Sequence, residues 1–279
     1  QHAVPCPRCS ASRSKPLAPC LSVNLDQGLY HCHHCDWAGS LRHGDDRHPV
    51  PSAPRVYRKP PPYQVGHPPT PTLLEWFVQR GIPASVVERR RISGCLVYMP
   101  QVEAEVSAIQ FPYFRDGECV NIKYRDRQKH FRMIGGAERI LYGLDDIQGD
   151  SVTICEGELD AMALEVAGVR SVVSVPDGAP AVGTRHYESK FEFLVSAEAV
   201  LAPLARIIIA VDADAPGAKL ADELARRLGA ERCTRATWPT DCKDANAVLL
   251  RHGVEVLQRC LADAIPWPVS GIHTRATLG

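Results

Sequence analysis

Two rhythms of apolar residues divide the chain. After Gly149, short uninterrupted apolar runs ("SVTIC", "SVVSV", "RIIIAVD") alternate with stretches whose apolar residues recur every three or four positions ("ELDAMALEVAG", "PGAKLADELARRLG"). The first kind predicts strands buried on both faces and the second predicts amphipathic helices. Their alternation predicts a parallel sheet covered on both sides, with ligands gathering at the carboxyl ends of its strands. Upstream the pattern is mixed. "TLLEWFVQRGI" carries Leu73, Leu74, Phe77 and Val78 at helical spacing with Gly81 as a stop, and "PASVVERRRI" predicts a second short helix with Pro83 in its first turn. "SAIQFPYF" and "ECVNIKYRD" predict two strands around a turn at "RDGE".

Residues 1–42 lack these rhythms and are rich in turn formers. Residues 43–71 hold nine prolines after position 48 and little apolar content, which predicts a semi-rigid, partly extended spacer with no core of its own. At 279 residues the chain is long enough for two or three compact units. None of its apolar runs approaches the roughly 18 residues that a bilayer helix needs, so no membrane role is expected. No secretory signal is visible, and residue 1 is Gln rather than Met, from which we expect a fragment or a processed product.

The zero net charge conceals a separation. Residues 1–149 carry 19 Lys and Arg against 14 Asp and Glu, whereas residues 150–250 carry 10 against 16. A basic front and an acidic back suit a polyanion held before an acidic metal centre, although chance clustering would give the same tally.

The acids fall where the apolar runs stop. "VTIC" ends on Glu156, with Glu158 and Asp160 just beyond, and "RIIIAV" ends on Asp212 and Asp214, which as alternate residues point the same way. Clustered carboxylates repel one another, and a hard divalent cation such as Mg²⁺ resolves that conflict while keeping positions for substrate phosphates. For either aspartate alone, capping the next helix is a plain alternative.

The cysteines are dilute except near the start, where "CPRC" (Cys6, Cys9) and "CHHC" (Cys32, Cys35) form two Cys-x-x-Cys pairs. Four thiolates in two such turns suit one structural, tetrahedral Zn²⁺ in a reducing compartment, with Cys20, His31, His33 and His34 close by in the sequence. Cys95, Cys119, Cys155 and Cys233 sit singly among apolar residues and read as small core residues.

"ICEGELDAMAL" followed by "IIIAVDADAPG" resembles the Toprim module shared by primases, topoisomerases and some nucleases. The match falls on Glu156, Asp212 and Asp214, which the resemblance implies as ligands of catalytic Mg²⁺, two ions or Mn²⁺ in their place. Asp160 falls on a position acidic in the primase-helicase type. "KDAN", similar to a motif of phage primases joined to ring helicases, adds Asp244 near the metals and Asn246 in a helix cap. "YHCHHCDWAGSL" resembles the second knuckle of primase zinc ribbons, where Tyr30, His33, Trp37 and Arg42 would meet template, Trp37 packing beneath the zinc being the alternative. "NIKYRDRQKHFR" resembles the basic segment of the primase polymerase core and implies Lys123, Arg125, Lys129 and Arg132 as triphosphate and template contacts.

The resemblance to bacteriophage-type DNA primases thus covers nearly the whole chain. It implies a multidomain α/β protein: a zinc ribbon (1–42) that reads template, a proline-rich linker (43–71), a mixed α+β basic subdomain (72–149), a Toprim catalytic domain with a parallel α/β sheet (150–265), and the start of a connector toward a helicase (266–279). It implies RNA primer synthesis on single-stranded DNA from ribonucleoside triphosphates, with a replicative helicase, fused or separate, and a DNA polymerase as partners, in the cytoplasm of a bacterium or of a phage's host. No P-loop occurs in the sequence, so a fused helicase would lie beyond it. The competing expectations are a Toprim nuclease and an inactive zinc-dependent DNA-binding or helicase-loading factor.

Overall fold

The computed structural model describes residues 2–25, 29–40, 56–60, 68–180 and 188–268. Most of the proline-rich stretch, Arg42 and the last eleven residues lie outside that set. The chain divides into two compact units, 1–56 and 57–279.

The first unit is an antiparallel sheet in chain order: β1 (His2–Val4), β2 (Leu21–Asn24), β3 (Leu29–Cys32) and β4 (Ala38–Ser40). Its buried cluster is Cys6, Cys9, Leu21 and Cys32, with Tyr30 and Trp37 packed against it. A core this small does not hold a fold unaided, so the cysteines must contribute more than burial.

The second unit opens with α1 (Pro71–Val78), capped by Thr70, whose hydroxyl accepts from the Leu73 amide, and α2 (Ala84–Arg89). An antiparallel sheet follows: β5 (Ser93–Met99), β6 (Ala104–Arg115), β7 (Glu118–Asp126) and β8 (Phe131–Met133). The β6–β7 hairpin turns on Asp116 and Gly117, both at positive φ, the mirror-image turn that matches strand twist. Along β7, Ile122 and Tyr124 enter a cluster with Met99 and Ala108. Alternation therefore turns Lys123 and Arg125 to the other face.

The remaining elements are β9 (Ser151–Cys155), α3 (Glu158–Val166), β10 (Val172–Ser174), α4 (Glu192–Ser196), α5 (Glu198–Leu201), β11 (Arg206–Ala210), α6 (Ala215–Leu228), β12 (Cys233–Arg235), α7 (Ala245–Ala262) and β13 (Ile265–Pro266). They build a sheet of order β10-β9-β11-β12-β13, parallel except for the antiparallel edge β13. β9 and β11 lie side by side, Cys155 opposite Ala210, so both chains leave the sheet at one level. One buried cluster joins Phe77, Phe111 and Tyr113 to Ile154, Ile209 and Leu224, which fixes the antiparallel sheet against the parallel one. Among the described residues no helix is long and apolar enough to cross a membrane.

Candidate active site

A cleft of about 600 Å³ opens at the carboxyl edge of the parallel sheet. Glu156, Glu158, Asp160, Asp177, Asp212 and Asp244 supply its acids. Lys123 and Arg132 reach it from the antiparallel sheet, and Arg139 and Lys243 from loops.

Each acid has its own surroundings. Glu156 follows β9 directly. Its Oε1 accepts from the Ala179 amide at 3.1 Å, while its buried Oε2 has no hydrogen-bond partner. Burial, then the charge of Asp212, pushes the Glu156 carboxyl above its ordinary range, against the pull of the Ala179 amide. Asp160, in the first turn of α3, accepts from the Asn246 amide at 3.1 Å and is held well above the usual carboxylate range by burial and by Asp244 and Asp212. Burial also raises Asp212, although Lys243 Nζ donates to its Oδ2 at 2.9 Å. Lys243 Nζ is also 3.6 Å from Asp244 Oδ2, so one largely exposed ammonium bridges two of the acids. Asp244 caps α7 by accepting from the Ala247 amide at 2.7 Å.

Asp214 does not line the cleft: it is exposed and caps α6, its Oδ1 accepting from the Gly217 amide at 2.8 Å, although its charge still raises the Glu156 and Asp212 carboxyls. The strand ends at Ala210, and the chain is already turning into the helix at Asp214, so strand alternation no longer governs direction. Gly217 permits that turn, because a Cβ there would stand 2.2 Å from the Asp212 carbonyl oxygen. Glu156, Asp212 and Asp214 accordingly do not form one tight group. Among the described residues, the sets whose ligand atoms all fall within 4.8 Å of one another are Cys6, Cys9, Cys32, Cys35 and, separately, Asp241, Cys242, His252.

The cysteine set has the expected spacing for zinc. Sγ atoms of Cys6 and Cys35 are 3.9 Å apart, and those of Cys9 and Cys32 are 3.8 Å apart. Sulfurs on a tetrahedron around zinc at about 2.3 Å are about 3.8 Å apart. The Cys20 thiol lies 3.8 Å from that of Cys32 but outside the four-way group. Although burial opposes it, the backbone amides of Cys35 and His34 lower the Cys32 thiol, whereas burial raises that of Cys9. The Trp37 ring lies tilted against Tyr30, centres 4.6 Å apart, and packs against the cysteines.

Residues 153–249 match the family model described as Toprim-like. The Twinkle homolog protein, chloroplastic/mitochondrial, of Arabidopsis thaliana is 40% identical over 214 residues, 72% of this chain and 29% of that protein. The Primase homolog protein of Arabidopsis thaliana is 38% identical over 209 residues, 71% of this chain and 60% of the relative. The chain thus spans less than two thirds of either relative. The crystal structure of the primase fragment of the bacteriophage T7 primase-helicase protein superposes with a TM-score of 0.56 at 20% identity, covering 94% of this chain and 99% of that one. This chain shares the fold of that primase fragment.

Within this primase fold, two of the four basic residues singled out in the sequence reach the cleft. Lys123 Nζ donates to Glu158 Oε1 at 2.8 Å, both side chains nearly inaccessible, and Tyr113 Oη donates to the same oxygen. Arg132 donates to the Tyr98 carbonyl at 2.5 Å. Arg125, by contrast, is buried with its guanidinium 4.8 Å from the Trp76 ring centre, and Lys129 is exposed in the β7–β8 turn at φ 68°. Neither lines the cleft. Strand alternation gives the face of a side chain but not how far along the strand the cleft extends, and the left-handed turn carries Lys129 to solvent.

Sequence reasoning missed Glu158 as the partner of Lys123, Lys243 as the bridge between Asp212 and Asp244, and Arg139, which pairs with Asp177 at the cleft rim. The "KDAN" motif held Lys243 in plain view. The other pairings are long-range and leave no local signal.

Replacing Lys123 with Met strands the buried Glu158 carboxylate and should cost about 3–5 kcal/mol, most of it recovered in the double variant Lys123→Met/Glu158→Gln. Urea unfolding of the three proteins checks this. Glu156, Asp160 and Asp212 hold protons more tightly in the fold than in the unfolded chain, so their contribution is full at low pH and is lost as pH rises through the raised values. Asp160→Asn keeps the acceptor for Asn246 without the charge and should stabilise the protein at pH 8 by about 1 kcal/mol, roughly 2–4 °C, with little effect at pH 4. Thermal melts at the two pH values measure the difference.

Proposed function

We propose that this chain is a DNA primase, synthesising short RNA primers on single-stranded DNA by magnesium-dependent nucleotidyl transfer as the primase part of a phage-type primase-helicase. The observation that carries this reading is the cleft itself, where carboxylates from two adjacent parallel strand ends share one space with cations from the antiparallel sheet.

The acids fit a hard cation. Glu156 Oε2 is a buried oxygen without a hydrogen-bond partner, and Glu156, Asp160 and Asp212 all bear a cost of burial and of mutual repulsion that a divalent ion would offset. Glu156 and Asp212 would hold magnesium, one ion or two, with Asp160 and Asp244 beside them and Asp214 joining by leaving its cap; manganese suits the same oxygens. When bound, the metal activates the attacking 3′-hydroxyl and stabilises the leaving pyrophosphate. Lys123, held in place by Glu158, and Arg132, joined by Arg139, balance triphosphate charge. Arg125 and Lys129 would contact template or nucleotide outside the cleft. Lys243 neutralises Asp212 and yields it when a cation arrives. No side chain acts as a nucleophile. In this reading the zinc unit, residues 1–42, presents template across the 43–71 tether to the 72–149 and 150–265 portions, and the partners are template DNA, ribonucleoside triphosphates, the RNA product, a replicative helicase and a DNA polymerase.

The test supplies purified chain with single-stranded DNA, labelled ribonucleotides and Mg²⁺. Short RNA products support the reading. Degraded template favours a nuclease, and retained DNA binding without product favours a loading factor.

A further inference from the structure

A second group of metal-ligand side chains stands outside the cleft. Asp241 and Cys242 lie in the loop before α7, and His252 lies two turns into that helix; one oxygen, the thiol sulfur and one imidazole nitrogen all fall within 4.8 Å of one another. His252 Nε2 is 3.0 Å from both carboxylate oxygens of Asp241. Tetrahedral ligands at about 2.0–2.3 Å from zinc stand roughly 3.3–3.8 Å apart, so a small inward adjustment completes three corners.

The local chain is built to hold this arrangement. The Cys242 amide donates to the Pro239 carbonyl at 2.8 Å, closing the turn that aims the thiol inward, and Cys242 is only 5% exposed. Directly after His252 the helix breaks at Gly253, whose φ of 79° is open to glycine and strained for other residues. A surface Asp–His pair alone would need neither a buried thiol beside it nor an interrupted helix. The other charges facing the group are Asp244 and Arg251, whose guanidinium donates to the Asp241 carbonyl and stands 3.6 Å from Asp241 Oδ2. Its side chain is 59% exposed and free to turn outward.

We propose that Asp241, Cys242 and His252 form a site for a zinc-class divalent transition metal, with one corner open to water. Thiolate, imidazole and carboxylate together select such an ion over magnesium. On binding, the Cys242 thiol releases its proton to solvent as the metal–sulfur bond forms, and His252 donates the Nε2 lone pair. The site adjoins the cleft in sequence. Cys242 is followed by Lys243, whose carbonyl accepts from the Ala213 amide at 2.7 Å and whose ammonium holds Asp212, and then by Asp244. Metal at Asp241, Cys242 and His252 therefore fixes the loop that carries the Lys243 bridge.

Cobalt is the probe. The full chain is titrated with Co²⁺ in excess Mg²⁺, which occupies the acidic cleft, following thiolate charge-transfer absorption, with bound cobalt counted by equilibrium dialysis. Two equivalents are expected for the unmodified chain, one in the four-cysteine cluster and one here, and one equivalent for Cys242→Ser and for His252→Ala. His252→Ala leaves the buried position untouched and decides the question should Cys242→Ser fail to fold. A single equivalent in the unmodified chain, or two in His252→Ala, overturns the site. Neither result depends on primer synthesis.

Discussion

Asp212→Asn should lower primer synthesis by roughly 10³-fold, about 4 kcal/mol of transition-state stabilisation, while leaving the fold intact. The asymmetry follows from position. Asp212 lines the cleft beside Glu156, and the charge removed is one that a metal would need. What it gives up structurally is an ion pair with a Lys243 side chain that is 68% exposed, and such pairs contribute about 1 kcal/mol or less. Incorporation of labelled ribonucleotide, set beside a thermal melt, separates the two effects. Asp214→Asn is the informative companion, since asparagine caps helices as well as aspartate does. A smaller loss than at Asp212 is expected, and its size measures what the Asp214 carboxylate gives the metal. Equal melting temperatures and unchanged synthesis in Asp212→Asn would remove the acidic edge from the mechanism.

Cys32→Ser should unfold the N-terminal unit. Its buried cluster comprises Cys6, Cys9, Leu21 and Cys32, too little to hold four short strands, whereas structural zinc contributes about 10–16 kcal/mol of binding free energy in small modules. The second unit has its own core and should keep its transition. Limited proteolysis should therefore release residues from the first unit alone. Because the substitution leaves the cleft untouched, template-directed initiation should fall far more than extension of a supplied primer. Equal loss of both activities would deny the first unit its role in presenting template. Chelation is the less clean version of this experiment, since it would also strip a metal held by Asp241, Cys242 and His252.

The elements legible in the sequence were those whose burial pattern is written locally. β9 and β11 are apolar runs because both their faces are covered, and β6 and β7 show their alternation and their turn. The Cys-x-x-Cys pairs carry their geometry in their spacing, which is why the four sulfurs were nameable beforehand. β12 and β13 were not legible: three and two residues are too few for a period to register, and the antiparallel edge is set by where α7 ends. The site was legible in its acids and only half so in its cations. Glu156 and Asp212 inherit their place from adjacent strands, but the diversion of Asp214 into a helix cap and the pairing of Lys123 with Glu158 depend on what the chain does next and on a contact 35 residues away. A motif read as a block of acids thus resolves into two different jobs, one carboxylate facing the cleft and one starting a helix.

The proposed chemistry requires the carboxyl edge of the sheet to grip a divalent cation. Electron paramagnetic resonance of Mn²⁺, titrated into the full chain and into Glu156→Gln, tests that grip directly, because free and bound manganese give distinct signals. We expect a bound ion in the unmodified chain that weakens at least tenfold in Glu156→Gln, about 1.4 kcal/mol or more. Manganese affinity that is the same in both proteins would contradict it.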